Sequence, residues 1–527
     1  GADPARAEGE PPRDRPVFFR DPDPATARAI EKALGRFGDP SPNNREAGRD
    51  ALHAIGWWSV EPLLRTVERG SGQFRSNALL VLGRLADPRA LPAARSVAAE
   101  DDTEWPPVFA SLLLGRMRDA DDRTLRAFRD SLASRGGDEK RKVAVVLALG
   151  KLHRRRAEEA GAMLAQVLAA PTPSPSVHNA ALLSLGFFRS RVAEPSGDGS
   201  SWVPSATIRE ALASSRAGPR LSAVVALAVS RLDGLDGVFL DAFERDDDRE
   251  VRRVALLALG KPRAEPDDRV TDLLTSVLGS VRATGEERRT AAYLLTLRKD
   301  ARSVDALIRA ASSPGSSEVA AAAVVALGGM DDRRVAGLLV GKLSHPVATV
   351  RAAAAVASVE LRETADLLLL REALQRRLQQ GETNTVAKFD MTCALDEIGL
   401  ILRDRDDAKE GRPVRERPAP EWLEASSADL FFRLRRTHRQ AILDEANLRV
   451  QQVLGVDSLF PYRPGADPFA GGGGEDGLGG ATRFRREHSV YLEQYDLRTE
   501  LDRRPFFTME DFSDGAGEPP AVPREKR

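Results

Sequence analysis

A small-apolar run that closes on Leu-Gly recurs down most of the chain, and no other feature limits its fold as strongly. The run is clearest at Ala78-Leu79-Leu80-Val81-Leu82-Gly83-Arg84-Leu85. Relatives of it end at Gly115, Gly150, Gly186, Gly260 and Gly328, and Ser230, Arg298 and Glu360 replace the glycine in three others. Successive ends lie roughly 27 to 44 residues apart, about 34 on average, which suits two helices and two turns. One hairpin of that size cannot bury its apolar face alone, so the copies must stack on their neighbours. Stacking also explains how 527 residues avoid the single oversized core that a globule would need. Aromatic residues make up only 5% of the chain, and its apolar share is dominated by Ala, Leu and Val, which favours helices over sheets.

The punctuation fits helix pairs. Asp87-Pro88 offers an N-cap followed by a residue already set at helical φ, and Asp331-Asp332 repeats the capping chemistry after Gly328-Gly329. Runs of alanine at 320–323 and 352–355 lack bulk, so the helices that carry them can approach closely. This Ala-Leu-Gly-x-Leu-x-Asp-Pro-x-Ala-Leu core, with the Val-Arg entries at Val251-Arg252 and Val350-Arg351, resembles the HEAT repeat. The closest likeness is to the short bacterial, phycobilisome-lyase-type form, over roughly residues 25 to 402. The resemblance implies an all-α, right-handed superhelical solenoid of stacked antiparallel helix pairs. It implies little about function, because such proteins serve as adaptors, assembly factors and occasionally enzymes.

Around the repeats, residues 1–24 read as a disordered N-terminal segment, residues 191–207 as a loop insertion and residues 403–420 as a charged linker. A helical pattern over 421–454 is expected to cap the open C-terminal end of the array. Residues 455–527, rich in Gly and Pro, are expected to be mostly disordered. Within that tail, residues 483–512 concentrate aromatics between charges. They read as a docking segment, on the chain's own array or on a partner, with Phe506 and Phe507 as anchors.

No constellation for chemistry emerges. The six histidines, at 53, 153, 178, 345, 438 and 488, never take the spacing that puts two ligands on one helical face, so no metal site is expected. Acidic clusters at 100–104, 119–122 and 246–248 lack the spaced oxygens of a calcium loop and read as capped turns. Cys393, the only cysteine, excludes a disulfide and reads as a buried small hydrophobe. The Gly string at 471–480 follows no strand, and a linker accounts for it. Trp57-Trp58 and Phe187-Phe188 read as packing between neighbouring helices. No catalytic residue and no cofactor are expected.

Two ladders of cations remain. Arg84, Arg116, Lys151, Arg231, Lys261 and Lys299 directly follow the Gly position, where attraction to the helix macrodipole suffices to explain them. Arg75, Lys142, Arg252, Arg289 and Arg351 fall near the starts of the same helices, where that dipole disfavours a cation. A carboxylate or a ligand must compensate there, so this second ladder is the expected contact surface, on what the resemblance makes the concave face.

The expected function is a non-enzymatic scaffold that holds a protein or an extended peptide. A lyase-like or chromophore-handling role, suggested only by the resemblance, and a nucleic-acid role are the alternatives. The balance of 78 basic against 79 acidic side chains gives no field to draw nucleic acid. No apolar run is long enough to span a membrane, and 433–439 is the one modest basic stretch that could lie on a membrane surface. The opening GADPARAEGEPPRDRP, without Met or a hydrophobic stretch, suits a start left by signal-peptide cleavage, which makes export the expectation over a cytoplasmic home.

Overall fold

The computed structural model describes residues 22–100, 103–134, 138–170, 174–195, 202–260, 268–313, 315–330, 332–361, 363–412, 438–456, 494 and 496–512. They form an all-α fold of stacked antiparallel helix pairs, divided into two compact units. One comprises residues 1–184 with 450–506, the other residues 185–449 with 507–527.

In the first unit the pairs are Pro24–Gly35 with Pro42–Ile55, Val60–Arg69 with Gly72–Leu85, Ala90–Glu100 with Pro106–Arg116, Asp122–Ala133 with Glu139–Lys151, and Ala157–Leu168 with Pro175–Leu185. The second helix of each pair stacks on the second helix of the next, which is why helices such as Pro106–Arg116 are buried on nearly every side. The conserved-looking glycine of the repeat has a direct use here. A Cβ on Gly115 would lie 2.8 Å from the Ala148 Cα, so only glycine lets these two backbones approach.

In the second unit the pairs are Ala206–Leu212 with Ala217–Ser230, Asp236–Arg245 with Arg249–Ala258, Asp268–Gly279 with Gly285–Arg298, Val304–Ser312 with Ser317–Gly328, Arg334–Lys342 with Ala348–Ser358, and Thr364–Gln379 with Thr385–Lys409. The alanine runs do what their size suggests. Val319 to Gly328 is buried throughout, and a Cβ on Gly328 would meet the Ala357 carbonyl oxygen at 2.6 Å. Helix starts are capped by side chains, with a full capping box between Thr284 and Glu287 and an Asp248 cap on the amides of Glu250 and Val251.

Several expectations need correction. The insertion at 191–207 is not an irregular loop: a short helix, Arg189–Val192, leads into an antiparallel hairpin of Ala193–Pro195 and Trp202–Pro204. The last array helix runs on to Lys409, into what reads as a linker, because its charges stay solvated while Arg405 hydrogen-bonds Thr364 Oγ1 at 3.0 Å. Asp87 and Asp332 do not cap helices directly. Each accepts the backbone N–H two residues on and grips the following arginine, Arg89 or Arg334, and Asp300 does the same with Arg302. This Asp-x-Arg clasp repeats at the entry to the first helix of a pair, and the arginines' hydrogen bonds hold the Asp300 and Asp332 carboxyls down at about 2.

The helix His438–Val453, from the stretch read as an end cap, instead lies against the middle of the array. Arg253 forks onto Glu445 at 2.5 and 2.6 Å, and Arg449 donates to Ser222 Oγ and the Gly218 carbonyl at 3.0 and 2.9 Å. Of that stretch, residues 421–437 lie outside the described residues, as do 1–21 of the N-terminal segment and 457–493 and 513–527 of the tail.

Candidate peptide-binding surface

The helix Pro42–Ile55 carries Arg45 and Arg49 one turn apart, both fully buried. Bare burial of two guanidiniums would be costly, so their partners decide what this surface is. Arg45 donates to both carboxylate oxygens of Asp496, at 2.8 and 3.0 Å, and to the carbonyls of Asp39 and Pro40. Arg49 lies 3.1 Å from Asp496 and also pairs with Glu46 and Asn77. Asp496 opens a helical stretch, residues 496–503, from the C-terminal tail.

One turn along that stretch, Glu500 meets the repeat-end cations. Arg84 Nε donates to it at 2.8 Å, while the same guanidinium reaches Asp50 and Glu46 at 2.9 Å each. Arg116 donates to Glu500 at 3.1 Å and to the Arg504 carbonyl at 2.6 Å, which places a cation on the C-terminal end of the stretch. Leu497 and Leu501 share the buried face with Asp496 and Glu500, while the more exposed Arg503 donates to Glu46 at 2.6 Å and to Asp50 at 3.1 Å, and Asp502 accepts from Gln451 at 2.8 Å. Pro505 cannot continue the helix, and beyond it Phe506 is buried against Gly115, with the Lys151 ammonium 5.3 Å from its ring centre. A cavity of about 20 Å³, lined by Leu79, Phe109, Leu113, Leu497 and Leu501 among others, remains under the segment.

The electrostatics follow from this crowding. Burial works against the Glu46 carboxylate, yet Arg49 and Arg84 outweigh it and hold the group down at about 2. Burial likewise pulls at Arg84, but Glu500 and Glu46 raise it overall. At Arg116 burial prevails over Glu500 and lowers the guanidinium from its ordinary range.

In the second unit, Phe507 is fully buried and stacks on Phe187 with ring centres 4.2 Å apart. Asn447 holds its backbone from both sides: the Phe507 N–H donates to Asn447 Oδ1 at 2.9 Å, and Asn447 Nδ2 donates to the Phe507 carbonyl at 2.9 Å. Phe187 therefore packs on the tail, where the sequence suggested a neighbouring helix. Of the other aromatics in that tail, the side chains of Tyr491, Tyr495 and Phe512 lie outside the described residues.

The ladder at the helix starts is placed differently. Arg75 donates to the Val67 carbonyl at 2.8 Å and Lys142 to the Ser134 carbonyl, each on the end of the preceding helix. Arg252 reaches Glu287 at 3.1 Å, Arg289 reaches Glu318 at 2.6 Å, and Arg351 forks onto Glu382 at 2.6 and 2.7 Å, each on the next pair. Arg75 and Lys142 thus close their own helix pairs, Arg252, Arg289 and Arg351 tie one repeat to the next, and the tail docks on Arg84, Arg116 and Lys151 of the other ladder. Arg84 and Arg116, besides lying at helix ends, both pair with Glu500. Arg231 and Lys299 end their helices in the left-handed region, at φ 54° and 51°. Sequence reasoning missed Arg45, Arg49, Asp496, Glu500 and Asn447.

Among the described residues no group of three or more His, Cys, Asp and Glu could hold a metal ion, and no helix is long and apolar enough to cross a membrane. His153 sits at 3.0 Å from the Gly150 carbonyl, and half-buried Cys393 has its thiol pushed up by burial and by Asp390 and Asp396.

No family model matches the chain, and no curated protein does. Among solved structures it is similar to Kap95p in a complex with RanGDP, at 14% identity over 89% of this chain and 64% of that one, with a TM-score of 0.42. It is also similar to Kap121p, at 14% identity over 92% and 49% with a TM-score of 0.33, and to UNC-45 from Drosophila melanogaster, at 12% over 81% and 78% with a TM-score of 0.29. The chain spans less than two thirds of the Kap95p and Kap121p chains. The likeness is one of helical-repeat architecture alone, which the chain's own stacked pairs already display.

Proposed function

We propose that this chain is a non-enzymatic scaffold of the short bacterial HEAT-like kind, which holds a protein or an extended peptide on the surface made by its second helices. One observation carries the reading: that surface already holds a peptide segment, the chain's own residues 496–507, by paired charges and buried aromatic anchors. Neither cofactor nor metal is called for.

Affinity capture with the intact chain, followed by mass spectrometry and reciprocal capture, tests the reading. A discrete partner retained by the folded chain and lost from a heat-unfolded control is the expected result. Retention of the same proteins by both forms would remove the scaffold reading.

A further inference from the structure

The seat of the tail is lopsided in charge. On the array side five cations, Arg45, Arg49, Arg84, Arg116 and Lys151, face only two carboxylates, Glu46 and Asp50. Asp496 and Glu500 bring two carboxylates to these cations while Arg503 of the same segment pairs with Glu46 and Asp50, Leu497 and Leu501 lie in the groove between the helix ends, and Phe506 enters beside Gly115. What is recognised is therefore a pattern: two acids one helical turn apart, a leucine after each, and an aromatic six residues beyond the second acid. Such a seat accepts any chain that presents this pattern. The segment is joined to helix His438–Val453 through residues 457–493.

We propose that this seat is an exchangeable binding site for a helical peptide that presents two acids one turn apart and ends in an aromatic residue, carried by a partner protein, and that residues 496–506 are its resident competitor. The proposal rests on the scaffold reading and names the partner's chemistry. The chain is then closed to partners until one with the same pattern, present at sufficient concentration, displaces the tail.

The test uses the full-length chain and a labelled probe, a synthetic peptide of residues 494–506, beside a scrambled peptide of the same composition. A second probe keeps only Asp, Leu, Glu, Leu and Phe at their spacings on an alanine background. Asp496→Arg with Glu500→Arg in the chain opposes its own tail to Arg45, Arg84 and Arg116 and opens the seat. Both patterned probes are expected to bind the opened chain at least about tenfold more tightly than the wild type, because an occupied seat lowers apparent affinity by its free fraction. The scrambled peptide should not bind. Adding Arg84→Ala and Arg116→Ala to the opened chain should abolish binding while the circular dichroism of the array persists.

Equal binding of patterned and scrambled probes, or no gain on opening, would overturn the proposal. So would light scattering that shows the opened chain pairing with wild-type chains in preference to the probe, since the seat would then serve a second copy. Capture by the intact chain is scored separately. A retained partner whose capture is unaffected by the four substitutions would leave the scaffold reading standing and sink this site.

Discussion

Particular second helices of the two units are buried by opposite chemistry. In the second, Ser317–Gly328 and Ala348–Ser358 pack backbone to backbone through alanine and glycine. In the first, Pro42–Ile55 buries Arg45, Glu46 and Arg49, and the charges are completed by a segment more than four hundred residues further along the chain. Close apolar packing has one solution for each pair of helices and no reason to exchange. A buried row of guanidiniums is stable only while a matching set of carboxylates is present, and anything that presents that set can supply it.

The largest effect expected from this contrast is in the second unit. Ala357→Asp places a carboxylate in the contact with Gly328, and should lower the unfolding free energy by at least about 4 kcal/mol in urea titration. Asp496 shows that a carboxylate is tolerated where two arginines await it, so a small effect at Ala357 would erase the distinction between the units.

Next in size is Asp496→Ala, which leaves Arg45 and Arg49 buried without that partner, at a cost of about 3 to 5 kcal/mol. Hydrogen exchange should read this as faster amides at 496–506 and unchanged ones at 317–358. Acceleration of both regions alike would mean that the tail is part of one cooperative unit with the alanine core.

Acid should discriminate more gently. The Glu46 carboxyl is held at about 2, below its ordinary 4.5, so the stability that it contributes is complete above about 4.5 and is lost as pH falls towards 2. Protection of 496–506 should therefore weaken as pH falls from about 4.5 towards 2, and Glu46→Gln should flatten that dependence; identical profiles for both proteins would remove Glu46 from the seam. Smallest of all, Arg249→Asp exchanges an exposed ion pair with Glu286 and should shift stability by no more than about 0.5 kcal/mol by the same titration. A larger shift would show that surface pairs between repeats matter more than the core contrast allows.

The sequence reading of the tail shows where such reasoning stops. Phe506 and Phe507 stand out because adjacent aromatics in a charged, Gly-rich stretch need burying somewhere, and the structure buries both. Asp496 and Glu500 do not stand out, because acids in such a stretch look like solvation. Arg84 and Arg116 are visible as a ladder, but a cation at a helix end already has a sufficient local explanation in the helix dipole. Helix His438–Val453 was legible as a helix, while its seat beside Arg253 was not.

What the sequence alone determined is the repeating element: the period, the helix pairs, the buried alanine and leucine faces and the glycines that let backbones touch. These follow from local periodicity and from the size of side chains, which act over a few residues or between adjacent copies. The tertiary structure alone decided which cation ladder meets the tail, which carboxylates satisfy Arg45 and Arg49, and where the helix after the array lies. Those pairings join residues hundreds of positions apart, and every arginine in a chain with 78 basic and 79 acidic side chains has many candidate partners until the fold brings one within reach.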